Sequence, residues 1–101
     1  MFLYLDDVRI PLNSKFYVVR TYDECVSMIK NNQIDLLSLD HDLGDEKTGY
    51  DVAKFIVCEG IKIPHINIHS ANPVGKENIR QLINRYFPST KITLFGLETA
   101  R

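Results

Sequence analysis

Phe2-Leu3-Tyr4-Leu5-Asp6-Asp7-Val8-Arg9-Ile10-Pro11-Leu12-Asn13-Ser14-Lys15-Phe16-Tyr17-Val18-Val19 is the stretch that decides the fold. Its two apolar runs, 2–5 and 16–20, read as short buried strands, the second carrying β-branched Val18 and Val19. Ten residues separate Leu5 from Phe16, and Pro11 lies among them. A parallel crossover usually takes a dozen residues or more and contains a helix. The first helix of a doubly wound sheet is therefore expected to be missing or shrunk to a turn.

Downstream, strand and helix patterns alternate. Thr21-x-x-Glu24 reads as a capping box, opening a helix with Cys25, Val26, Met28 and Ile29 on its inner side and Asn31-Asn32 as its stop. Leu36-Leu37-Ser38-Leu39 is a third strand, and 42–48 a polar loop. Gly49-Tyr50 opens a second helix with Val52, Phe55 and Ile56 at i, i+3, i+4, ended by Gly60. A fourth strand spans 63–70. Asn72-Pro73 pairs a capping residue with proline at the first helical position. Ile79, Leu82, Ile83 and Tyr86 form that helix's inner stripe, Pro88 stops it, and 91–95 is a fifth, edge strand. The pattern predicts one α/β domain over residues 1–101, with a parallel five-stranded sheet of order 2-1-3-4-5.

Composition narrows the function classes. Twelve basic and 13 acidic residues leave a net charge of −1, so no global field steers nucleic acid or a membrane surface. Two cysteines, Cys25 and Cys58, make neither a disulfide framework nor a metal motif. Both sit among apolar residues of helical segments and are expected to be buried free thiols. The first residues meet Asp6-Asp7 at once and lack the basic start of a signal peptide, and no apolar run approaches membrane-spanning length. The cytoplasm is the expected location.

In an open parallel sheet, ligands bind beyond the carboxyl ends of the strands. Strand one ends in Asp6-Asp7, strand three in Asp40-His41-Asp42, and strand four in His69-Ser70-Ala71-Asn72. Four carboxylates at one edge repel one another unless a cation sits between them. The expected cofactor is Mg²⁺ or Mn²⁺, a hard cation that uses carboxylate oxygens and shares phosphate oxygens. Asp6, Asp7 and Asp40 are the expected ligands, with Asp42 as a fourth ligand or just behind them. His41 and His69 are candidate proton carriers, while His65, at the opposite end of strand four, reads as structural. Arg9, Ser70 and the helix start at Asn72 are candidates to hold phosphate, with Gly75 allowing close approach and Lys76 adding charge. Gly44 and Gly49 bracket the intervening loop, read as a plain turn before any lid.

Asp6-Asp7, Asp40 and Ser70 at successive strand ends resemble the pattern of response-regulator receiver domains, a flavodoxin-like fold. That resemblance implies paired acids that bind Mg²⁺, Asp40 as phosphoryl acceptor and Ser70 as its contact. Two departures stand out: the first helix is short or absent, and the family's lysine after strand five has no counterpart in Phe95-Gly96-Leu97. The longer runs Leu3-Tyr4-Leu5-Asp6-Asp7-Val8-Arg9-Ile10-Pro11, Ser38-Leu39-Asp40-His41-Asp42-Leu43-Gly44, Thr48-Gly49-Tyr50-Asp51-Val52 and His69-Ser70-Ala71-Asn72-Pro73-Val74-Gly75 resemble the cyclic-phosphate-processing receiver-like domains. The expectation is a metal-dependent phosphoesterase-like domain whose partner is a phosphate-bearing small molecule or nucleic-acid end. The alternative is a degenerate receiver that accepts phosphate or binds a partner without hydrolysis.

Overall fold

The computed structural model describes residues 1–44 and 46–95. Strands β1 (Phe2–Leu5), β2 (Phe16–Val19), β3 (Leu36–Leu39), β4 (His65–Ile68) and β5 (Lys91–Thr93) alternate from β2 onward with helices α1 (Tyr22–Asn31), α2 (Gly49–Cys58) and α3 (Pro73–Tyr86). All five strands are parallel, in the order β2-β1-β3-β4-β5. The stretch from Val8 to Lys15 contains no helix, only a single turn at Ser14-Lys15 in which Phe16 N–H donates to the Asn13 carbonyl at 3.3 Å. The fold and the lost first helix are those expected; β2, β4 and β5 are shorter than the apolar runs suggested.

Strand order and chirality together decide where the helices lie. The crossovers β2–β3, β3–β4 and β4–β5 all step the same way across the sheet. Right-handed crossovers then place α1, α2 and α3 on one face. Leu3, Leu5, Leu37, Leu39, Ile66 and Ile68, alternate residues of the three central strands, form a single apolar cluster there with Cys25, Ile29, Val52, Ile56, Ile79 and Ile83. The opposite face carries no helix among the described residues. Its positions read differently: Tyr4 and Asp6 from the first strand and its end, Ser38 and Asp40 from the third, Asn67 and His69 from the fourth. All six are buried.

Helix starts follow local chemistry. The Thr21 hydroxyl accepts from Glu24 N–H at 3.2 Å, while the Glu24 carboxylate accepts from Arg20 N–H at 2.9 Å, one residue earlier than in a standard capping box. A reciprocal box forms instead at α2, between Thr48 and Asp51. Asn72 caps α3 by accepting from Gly75 N–H at 2.9 Å, with Pro73 in the first turn. Two burial expectations need correction. Tyr86 is 52% exposed, because α3 turns only Gly75, Ile79 and Ile83 fully inward. Cys25 is buried, which pushes its thiol up to about 12, but Cys58 is exposed at the last position of α2. No described helix is long and apolar enough to cross a membrane.

Candidate metal and phosphate site

β1 and β3 are adjacent and in register, Leu5 opposite Leu39. The residues that follow each strand therefore emerge side by side. Asp6, Asp7 and Asp40 each offer a carboxylate oxygen, and these atoms lie within 4.8 Å of one another. Asp6 is fully buried and Asp40 is 6% exposed. A cleft of about 410 Å³ opens over them, lined by Asp7, Val8, Arg9, Asp40, Asp42 and Gly44. Asp42 is exposed on its rim, outside the close group of three.

The two buried carboxylates are held in opposite senses. Burial raises the Asp6 carboxyl. It is outweighed by the N–H groups of Arg9 and Val8, which donate to Oδ1 at 2.9 and 3.0 Å, and by the Arg9 guanidinium, so Asp6 sits below the ordinary carboxylate value. His69 Nε2 lies 3.2 Å from Oδ2. Asp40 has less support. Burial, then the negative charge of Asp6, push its carboxyl up to about 6, against the pull of Arg9, the Ser70 hydroxyl and the His41 N–H. A carboxylate pushed up in this way has too little positive charge beside it to offset its burial and its acidic neighbour. The donor set, three carboxylates and no sulfur, suits Mg²⁺ or Mn²⁺ and fits poorly to softer metals.

The other site candidates fall into separate places. Arg9 lines the cleft, its Nε 4.0 Å from Asp6 Oδ2. Ser70 is buried; its hydroxyl bonds Asp40 and accepts from Asn72 N–H at 3.0 Å. Asn72 spends its side-chain oxygen on the α3 cap. Lys76 lies in the first turn of α3. His69 is buried, stacked on Tyr4 at 4.4 Å between ring centroids, with Nδ1 bonded to Ser38 Oγ at 2.7 Å. Both of its nitrogens are thus engaged inside the sheet layer. The His41 ring lies against α3: a Cβ at Gly75 would come within 2.3 Å of it. The room that Gly75 was expected to leave for a ligand is filled by His41. Gly49 is needed for a similar reason, since a Cβ there would lie 2.1 Å from the Asp40 carbonyl oxygen. Gly44, at φ 72°, brings the loop after β3 so close that a Cβ would approach Asp7 Oδ2 to 2.8 Å.

A model of the cyclic-phosphate processing receiver domain matches residues 1–85. The chain belongs to this family. The match runs through every residue of the cleft and stops within α3, short of β5. No curated protein matches the chain. The expected departure from ordinary receivers, the absent lysine after strand five, falls on Gly96 and Leu97, outside the described residues. Within this receiver domain, Arg9 is the cation set among the acids of the cleft.

One positioning residue escaped the sequence reading. Arg20, just after β2, donates through Nη1 to the carbonyl oxygens of Asp6 and Arg9, at 3.1 and 2.6 Å. It ties down the turn that aims both side chains. An arginine directly after a strand in a sheet this small was the available signal.

Proposed function

We propose that this receiver-like domain is a metal-dependent phosphoesterase acting on a cyclic phosphate or another phosphate ester, of a nucleotide or an RNA end. The observation that carries the reading is the meeting of the Asp6, Asp7 and Asp40 carboxylates within 4.8 Å, beside Arg9, under an open cleft. In this reading the three acids hold Mg²⁺ or Mn²⁺. The bound ion supplies Lewis-acid polarisation of a phosphoryl oxygen and an acidified water. Asp42 stands on the rim, where it orients water or adds an outer ligand. Arg9 offers its guanidinium to the phosphate oxygens, compensating charge as the phosphoryl group transfers. Ser70 and the α3 start at Asn72, with Lys76 in its first turn, flank the same edge and complete the phosphate subsite. The two histidines divide the remaining work. His69, enclosed and bonded at both nitrogens, positions Asp6; His41, partly exposed at the end of β3, carries protons.

A second reading keeps Asp40 as a phosphoryl acceptor without hydrolysis. The Ser70 hydroxyl on the Asp40 carboxylate favours it, being the receiver arrangement. One experiment separates the two. Cyclic nucleotides, RNA ending in a cyclic phosphate, and simple phosphomonoesters are incubated with the protein, with and without Mg²⁺ or Mn²⁺. The phosphoesterase reading expects metal-dependent turnover that Asp40→Asn abolishes and His41→Ala lowers by on the order of 10²-fold. No turnover, with stable labelling of Asp40 by acetyl phosphate, would establish the second reading.

A further inference from the structure

Ser38 and Asn67 are polar residues at the centres of apolar strands, 0% and 1% exposed, and the site as described makes no direct use of them. Their hydrogen bonds run in one direction that can be worked out atom by atom. Asn67 grips the Phe95 peptide on both sides: Oδ1 accepts from Phe95 N–H at 3.0 Å, and Nδ2 donates to the Phe95 carbonyl at 2.9 Å. A backbone N–H can only donate and a carbonyl can only accept, so the Asn67 amide can face only one way. Its second Nδ2 hydrogen goes to Ser38 Oγ at 3.1 Å. Ser38 has two side-chain partners among the described residues, Asn67 and His69. Ser38 Oγ could accept a second hydrogen as well as donate its own, so the other end of the ring decides. Nε2 faces a carboxylate oxygen and must carry hydrogen, and in a neutral His69 the Ser38 proton then goes to Nδ1, 2.7 Å away. Nδ1 is then the acceptor nitrogen, and Nε2 carries the hydrogen that points at Asp6 Oδ2, 3.2 Å away. Thr93 follows the same sense, giving its proton to Asn67 Oδ1 at 2.7 Å and receiving from His65 Nε2 at 2.8 Å. Tyr4, parallel to the His69 ring within 1°, hinders its rotation.

We propose that the chain Phe95 peptide–Asn67–Ser38 is a positioning device that locks His69 as its Nε2–H tautomer and so holds the Asp6 carboxylate in place for the cation. Ser38 and Asn67 are thereby positioning residues of the site, acting from the interior of β3 and β4 without touching the ligand. The tautomer follows from the hydrogen bonds of a neutral His69; its effect on the cation rests on the metal reading given above. Partners behind a metal ligand of this kind commonly shift affinity by about 10–100-fold.

Two readouts test it. Long-range ¹H–¹⁵N correlation spectra of the metal-free, ¹⁵N-labelled protein at neutral pH report the His69 tautomer without any variant. The Nε2–H pattern is expected; an Nδ1–H tautomer or an imidazolium overturns the proposal. Mn²⁺ titration then compares the wild type with Ser38→Ala, Ser38→Thr and Asn67→Asp. Ser38→Ala is expected to weaken Mn²⁺ binding by about 10-fold or more, and Ser38→Thr, which keeps the hydroxyl, to restore most of it. Asn67→Asp turns a donor into an acceptor, takes the Ser38 proton, and is expected to put a hydrogen on His69 Nδ1, which Ser38 Oγ then accepts. Equal Mn²⁺ affinity in wild type and Ser38→Ala overturns the positioning role. If the wild type shows the Nε2–H pattern but binds no Mn²⁺, the metal reading fails while the tautomer assignment stands. Should Ser38→Ala not fold, the wild-type spectrum and Asn67→Asp still decide.

Discussion

Replacing Asp40 by asparagine should stabilise the metal-free protein at neutral pH while removing its response to metal. Asp40 is buried next to a charged Asp6, and its carboxyl is pushed from the ordinary 3.8 up to about 6. A group whose folded-state pKa is raised holds its proton more tightly when folded. Its contribution is therefore full below about pH 3.8 and lost as the pH rises through about 6. At about 1.4 kcal/mol per pH unit, the ionised Asp40 costs the metal-free fold up to ~3 kcal/mol at pH 7.5. Asparagine keeps the shape and removes the charge, though it weakens the bonds from Ser70 and the His41 N–H. A net gain of about 1–3 kcal/mol remains, a rise in Tm on the order of 10 °C for a domain of this size. The assay is thermal unfolding of both proteins with EDTA at pH 5 and 7.5, then with Mg²⁺. The wild type is expected to gain on the variant as the pH falls, and to rise with Mg²⁺ by about 2.7 kcal/mol at one hundred times Kd. The variant should show no Mg²⁺ shift. A variant less stable than wild type at pH 7.5 without metal, or one that keeps the Mg²⁺ shift, would refute the reasoning.

Other consequences are equally open to measurement. Gly49→Ala forces a Cβ to 2.1 Å from the Asp40 carbonyl; urea unfolding should show a loss of about 1–3 kcal/mol together with weaker Mn²⁺ binding, and an unchanged stability would show that the α2 start yields. Arg20→Ala strips donors from the Asp6 and Arg9 carbonyls; a loss of about 1–3 kcal/mol is expected by urea titration, with less in Arg20→Lys. Arg9→Gln should leave Mn²⁺ binding within a few-fold but weaken retention of inorganic phosphate by the metal-loaded protein, seen by calorimetry; unchanged phosphate binding would remove Arg9 from the subsite.

The sheet and the acid cluster were legible for local reasons. Pro11 and a ten-residue gap excluded a first helix, and acids directly after apolar runs mark strand ends. Once the strand order is known, Asp6, Asp7 and Asp40 have to meet, because β1 and β3 are neighbours in register. What escaped depends on direction and depth. His41 and Gly75 are 34 positions apart, and only the fold shows that one fills the space the other leaves. Tyr86 and Cys58 keep helical periodicity but fall at helix ends, where the sheet no longer covers them. Ser38 and Asn67 did carry a signal, since each is a lone polar residue inside an apolar strand. Reading it required the register that sets Ser38 opposite Asn67. Arg20 required knowing that the turn at Asp6–Arg9 passes the end of β2.

The central claim is that Asp6, Asp7 and Asp40 together hold one divalent cation, and anomalous diffraction from crystals grown with Mn²⁺ tests it most directly. The account predicts a single strong manganese peak per chain in contact with carboxylate oxygens of all three residues, absent from crystals of Asp40→Asn. Manganese bound only elsewhere on the chain, or no peak at a Mn²⁺ concentration that raises the melting temperature in solution, would contradict it.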